Sequence, residues 1–461
     1  MRRRLMIAGG LVPALTVAFL GHGCAKTSSI TPGPADAGYM IGDAQAERPT
    51  PAEASEGGPT ACESGPVPTT VPPGWVRWSG YDACCGFYVP ASGTPMPQPI
   101  QWGPCEVSAQ PAGLVCREIV STWNLRAGEL APFGSYTASQ VSPDGGVTLA
   151  TARLVDDGAG DFVRYTLIAD ADGPVRQAVF ESTTKQCASI IESVQDGVAV
   201  YHVYEGNNDF GGGAFGGSID DPAPRTALKF ADHVAHEFAA GLPGIVDDAT
   251  MQLYDWLKPS QPPTRIMDPL DQPSAPSFLA FSGQALFWQA QTASLQKEKV
   301  WTPSGGARDF VAFASDPSQG AADLGTDGHD MVWLQGAGRS APTGPFPTVS
   351  IMATPFTSDA SMVHARRLRS EDSANMGVEP FKVGCGYAAL ALNDGIRVTR
   401  LSDGGSWHLG SGDGSWQWVN PVALTCTELF AKVEVHTDGG FGVTKFARVR
   451  LDSLGQSTPA E

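Results

Sequence analysis

The 461-residue chain carries 54 Gly, 37 Pro and a formal charge of −18, with only 17% charged residues against a usual quarter. That much helix breaker excludes a coiled coil, and 11 Trp with 20 Phe exclude a wholly disordered chain. The acidic balance argues against nucleic acid, whose phosphates need clustered Lys and Arg. What remains is a turn-rich, all-β globular protein.

The first element is an address. Arg2, Arg3 and Arg4 precede an apolar stretch from Leu5 to Leu20, in the order of a secretory leader and too short for a membrane span. The run Leu20-Gly21-His22-Gly23-Cys24 resembles the lipobox of bacterial lipoproteins. The resemblance implies cleavage after residue 23, lipid on Cys24, and anchorage in the bacterial envelope. That would be the outer membrane, its periplasmic face or the cell surface. Ordinary cleavage near Gly23 or Ala25 would instead give a soluble secreted protein. Loss of residues 1–23 removes three Arg and takes the formal charge to −21. If Cys24 carries lipid, eight cysteines remain, an even number that suits an oxidising compartment. Cys105 with Cys116 is the local pairing expected. No Cys-x-x-Cys has a matching second pair, so a structural zinc is not expected.

Residues 24–73 read as a disordered, lipid-anchored linker, with nine Pro and one aromatic, Tyr39, between residues 25 and 73. Every Trp lies from Trp75 onward, which places the folded body at 74–461. Within it, Val147–Val155, Phe162–Ile168, Val198–Tyr204, Gly395–Leu401 and Phe446–Leu451 have strand length and β-branched or aromatic content. Asp-Gly turns separate many of these strands. The best helical candidate, Asp247–Leu257, fits a strand equally well.

The body also repeats. Cys187 through Asp196-Gly197 to Val200 aligns without gaps on Cys385 through Asp394-Gly395 to Val398. A looser copy runs from Cys426 past Asp438-Gly439, and similar units centre on Gly145, Gly283 and Gly328. A further unit is expected near 232–257. Several short strands in each unit of about 40–55 residues is a propeller signature. The segment Val141–Ala150, with Ser142-Pro143-Asp144-Gly145, resembles the turn of TolB-like and WD40-like β-propeller repeats. Repeat and resemblance together imply a β-propeller of six to eight blades, seven favoured. The strands around 441–451 would pair with an early segment to close the ring. A two-domain β-sandwich is the structural alternative.

No motif fixes a chemistry. Asp323, Asp327 and Asp330 surround a Gly bend and are weak candidates for a cation such as Ca²⁺. Leu334 stands where an EF-hand carries Glu, so a turn feeding a strand is favoured. Asp232-His233-Val234-Ala235-His236-Glu237 has neither zincin spacing, and strand alternation sends its two His to opposite faces. The glycine runs at 211–217 and 410–414 lack the context of phosphate loops, and no Gly-x-Ser-x-Gly elbow occurs. Trp75, Trp78, Trp416 and Trp418 are candidates for a binding surface that stacks on carbohydrate or peptide. No catalytic residue and no cofactor are expected. The leading reading is a non-catalytic envelope propeller that binds a protein, peptide or glycan, with no nucleic acid and no membrane contact beyond the lipid. The alternatives are a propeller hydrolase or lyase acting on extracellular polysaccharide, and a purely structural envelope protein.

Overall fold

The computed structural model describes residues 73–460 apart from 79–85, 97, 106–112, 121–135, 143–144, 157–161, 184–186, 196, 206–212, 221–225, 230–237, 241–243, 248–250, 256–260, 267–276, 283–284, 292–294, 315–318, 338–346, 357–364, 373–375, 411–415 and 436–442. The leader, Cys24, the 25–73 segment and Asp232–Glu237 lie outside the described residues.

Seven antiparallel sheets follow one another along the chain. Blade one holds β5 (Tyr136–Val141), β6 (Val147–Asp156), β7 (Phe162–Asp170) and β8 (Val175–Thr183). Two N-terminal strands, β2 (Gly86–Pro90) and then β1 (Trp75–Arg77), extend it beyond β8. Blade two is β9 (Cys187–Gln195) to β12 (Thr226–Lys229), with β10 (Val198–Glu205) and β11 (Gly213–Ser218) between them. Blade three is β13 (Phe238–Ala240), β14 (Gly244–Asp247), β15 (Gln252–Asp255) and β16 (Thr264–Arg265). It supplies the unit expected near 232–257, and within Asp247–Leu257 the described residues Asp247 and Gln252–Asp255 are strand, not helix.

Blade four is β17 (Ser277–Ser282), β18 (Ala285–Gln291), β19 (Leu295–Thr302) and β20 (Gly306–Ala314). Blade five is β21 (Gln319–Thr326), β22 (Asp330–Ala337), β23 (Thr348–Pro355) and β24 (Arg366–Asp372). Blade six is β25 (Met376–Gly384), β26 (Tyr387–Leu392), β27 (Gly395–Arg400) and β28 (Ser406–Gly410). Blade seven starts with β29 (Trp416–Leu424), β30 (Glu428–Val435) and β31 (Val443–Arg450). The N-terminal strands β4 (Cys116–Ile119) and β3 (Trp102–Pro104) complete it.

The first strand of each blade lies beside the first strand of the next, and β29 returns to β5. The seven sheets therefore form a closed ring, a seven-bladed β-propeller. Closure joins the two ends of the body: β31 pairs with β4 at Ala447–Glu118, Arg448–Arg117 and Val449–Cys116. Such pairing removes an exposed sheet edge from the last blade.

The apolar core lies between blades. One cluster joins Ala150, Ile168 and Val179 of blade one to Ile191, Ala199 and Tyr201 of blade two. Others join blades three and four around Trp288, four and five around Trp333, and six and seven around Trp418. Complete burial of one such side chain stabilises the fold by about 1.5–3 kcal/mol. Middle strands are covered on both faces, so Met331–Leu334 and Ala388–Leu392 are continuous buried runs. They carry none of the period-2 alternation of a half-exposed strand.

The structure also corrects the phase of the repeat. Gly197 lies in the turn between the first and second strands of blade two, whereas Asp394-Gly395 joins the second and third of blade six. The two copies lie four blades apart as their spacing implies, but one strand out of step. The true counterpart of Gly197 in blade six is the Cys385-Gly386 turn.

Candidate functional site: the inner-turn face

In an antiparallel blade the first and third turns emerge at the same end, so one face of the ring collects the turns after every first strand around the central opening. The inner turns with described residues include Ser142 with Gly145-Gly146, Asp327–His329, Cys385-Gly386 and Thr425–Thr427. Each is built by side chain to backbone bonding. Ser142 Oγ donates to Gly146 O at 3.0 Å, and Gly145 N donates to Ser142 O at 2.9 Å. Thr425 Oγ1 accepts from Glu428 N at 2.8 Å and Thr427 N at 3.2 Å. This is the turn chemistry that short hydroxyl and carboxylate side chains favour.

The acidic turn of blade five is the most elaborate. Asp327 Oδ1 accepts from His329 N at 2.9 Å and Asp330 N at 2.8 Å. Its Oδ2 reaches across the blade junction to accept from Gly386 N at 2.8 Å. Thr326 Oγ1 accepts from Gly328 N at 3.0 Å and donates to Asp330 O at 2.7 Å. Gly328 takes φ +88°, a left-handed conformation that glycine adopts at no steric cost. Asp330 has its pKa raised by burial and then by the Asp327 charge, against the opposing charges of Arg366 and His329. Asp327 is thus committed to backbone donors. The side chain of Asp323, on β21, lies outside the described residues. Among the described residues no group of three His, Cys, Asp or Glu side chains is placed to hold a metal ion.

Immediately beside Gly386, a disulfide joins Cys385 to Cys426 with Cα atoms 5.0 Å apart. The two residues follow β25 and β29, so the bond staples the inner turns of blades six and seven, and both residues are exposed. The inner strands converge here: a Cβ on Gly384 would meet Leu424 O at 2.4 Å. A second disulfide, Cys105–Cys116, links the end of β3 to the start of β4, the two strands that close the ring. The sequence singled out Cys385 and Cys426 only as repeat markers. Their position just after an inner strand is the signal that could have paired them.

The outer turns of the same face carry ion pairs. Arg176 bridges Asp170, at 2.9 Å, and Asp220 of the neighbouring blade. Arg400 Nε donates to Asp403 Oδ1 at 2.8 Å, and this bond with that from Gly405 N holds the Asp403 pKa down at about 2. Arg448 meets Asp172 at 2.7 Å with its guanidinium 4.5 Å from the Trp102 ring centroid, joining blade seven to blade one.

The Trp candidates are scattered. Trp75 is half-buried against the cluster between blades seven and one. Trp78 packs on the next cluster, edge-on to Phe87 at 6.2 Å. Trp418 is fully buried between blades six and seven, so its indole is core packing and not surface. The side chain of Trp416 lies outside the described residues. The four do not form one patch among the described residues.

No family model and no curated protein matches the chain. Solved structures do resemble it. The β-propeller domain of the Trilobed protease from Pyrococcus furiosus aligns with TM-score 0.41 and 9% identity, over 71% of this chain and 96% of that one. An uncharacterized protein from Listeria monocytogenes gives TM-score 0.41 and 10% identity, over 68% and 95%. Acylaminoacyl peptidase from Pyrococcus horikoshii gives TM-score 0.39 and 9% identity, over 72% of this chain and 54% of its own, so the chain spans about half of that enzyme. The propeller assignment itself rests on the seven-sheet ring.

Proposed function

We propose that the protein is an exported β-propeller, anchored in the bacterial envelope by lipid on Cys24, whose inner-turn face binds a protein, peptide or glycan without catalysis. The observation that carries this reading is the exposed Cys385–Cys426 disulfide between neighbouring inner turns. A bond of this kind persists in oxidising compartments and holds a face rigid, which lowers the entropy lost when a partner docks. The engagement of Asp327 by three backbone donors supports a structural role for the most suggestive carboxylate of the chain.

Metabolic palmitate labelling with a Cys24→Ala control tests the anchor. Label on the native chain, lost in the variant together with globomycin-sensitive processing, is expected; unchanged processing and no label contradict it. Incubation of the purified chain with envelope polysaccharide and peptidoglycan tests the rest. Retention of an unaltered ligand is expected, and new reducing ends or unsaturated sugar products would establish the hydrolase or lyase reading instead.

A further inference from the structure

Three buried polar atoms at the junction of blades four and five have no hydrogen-bond partner among the described residues: Nη1 of Arg308, Oγ1 of Thr354 and the indole Nε1 of Trp333. Arg308 stands on β20 and Thr354 on β23. The Arg308 guanidinium carbon lies 5.8 Å from the Phe310 ring centroid and 5.7 Å from that of Phe356. Phe310 belongs to the apolar cluster between these blades, Phe356 packs against it half-buried, and the two ring centroids are 6.2 Å apart. Along β23, alternation puts Thr354 on the same face as Met352 and Phe356, the face that packs on that cluster. An unpaired donor of a cation and an unpaired hydroxyl therefore share one aromatic-lined junction.

Orphaned buried groups are rare because each forgoes a hydrogen bond that water would supply. Burial also lowers the Arg308 pKa from its ordinary value, as expected for a cation short of both solvent and a counter-charge. In a chain with 48 acids and 30 Lys plus Arg, an arginine with no carboxylate partner among the described residues is an anomaly. The missing partner is defined by the donors. A guanidinium fork and a hydroxyl together match the two oxygens of a carboxylate, and the phenyl rings suit an apolar group attached to it.

We propose that the junction of blades four and five is a binding site for a carboxylate carried on an apolar group, held by Arg308 and Thr354 and flanked by Phe310 and Phe356. The site is independent of the export reading above, since its test uses the purified full chain and neither lipid nor envelope. Ligand-observed NMR with benzoate measures it directly, with benzyl alcohol as the uncharged analogue. Saturable benzoate binding is expected, stronger than that of benzyl alcohol. Arg308→Met should weaken it about tenfold or more, the loss of a charge-assisted hydrogen bond. Thr354→Val keeps side-chain volume and should weaken it several-fold, which preserves the test if Arg308→Met fails to fold. Absence of saturable benzoate binding, equal binding of benzyl alcohol, or benzoate binding unchanged in Thr354→Val or in folded Arg308→Met would overturn the proposal.

Discussion

The backbone N–H of Gly386 donates to Asp327 Oδ2 across the gap between blades five and six, at 2.8 Å. One residue earlier, Cys385 is bonded to Cys426 of blade seven. Three consecutive blades are thus stapled at their inner turns, first by a carboxylate and then by a covalent bond. Replacing Asp327 by Ala removes the acceptor for three backbone donors. The expected cost is about 2–4 kcal/mol, read by urea unfolding, because two half-buried donors and one exposed donor lose a charged partner. An unchanged midpoint would mean that the carboxylate is dispensable to the turn.

The two disulfides differ in exposure, and so should their chemistry. Cys385 and Cys426 are exposed, while Cys105 and Cys116 are half-buried against the cluster between blades six and seven. Access governs thiol–disulfide exchange. Under limiting dithiothreitol, alkylation and mass spectrometry should find Cys385 and Cys426 labelled first. The double variant Cys385→Ser/Cys426→Ser should lose about 2–4 kcal/mol of stability.

Ring closure also has a buried charge at its seam. Glu118 of β4 is buried and accepts from Lys445 Nζ of β31 at 3.1 Å. Glu118→Ala should cost about 3 kcal/mol, chiefly by removing the buried carboxylate from a partly buried ion pair. Adding Lys445→Ala should recover part of that loss, and a double-mutant cycle in urea measures the coupling.

Two carboxylates should give opposite pH signatures. Asp330 has a raised folded pKa, so the folded state binds the extra proton and stability falls as pH rises from the ordinary value near 3.8 through the raised one. Asp330→Asn should flatten that part of the stability profile. Asp403 is held at about 2, so its contribution is complete above about 4 and is lost as pH falls towards 2. Carboxyl-carbon NMR titration should find the two on opposite sides of 3.8, and Arg400→Met should bring Asp403 back towards the ordinary range.

The ring was legible in the sequence because turns and strands recur. Val198–Tyr204 and Gly395–Leu401 are strands within a residue or two of their expected limits, and blade three occupies the interval left for it. The phase was not legible. Apolar strand, Asp-Gly and apolar strand describe the first hairpin of a blade as well as the second, and both middle strands are buried on two faces. Side-chain roles were legible only where geometry is local. Cys105 and Cys116 lie 11 residues apart in the chain, whereas the pairing of Cys385 with Cys426 depends on two blades being neighbours. Trp418 was indistinguishable from a surface Trp because burial between blades leaves no mark on the residues beside it. Arg308 carried no motif, since its lack of a partner is a property of the folded junction alone.

The closed ring rests most directly on the pairing of β4 with β31. Amide hydrogen exchange at Arg117, Glu118 and Ile119 measures that pairing. Protection comparable to that of β30 and β31 is the result a closed seven-bladed ring predicts. Exchange at the rate of an unpaired segment, with β31 still protected along its β30 edge, would contradict it.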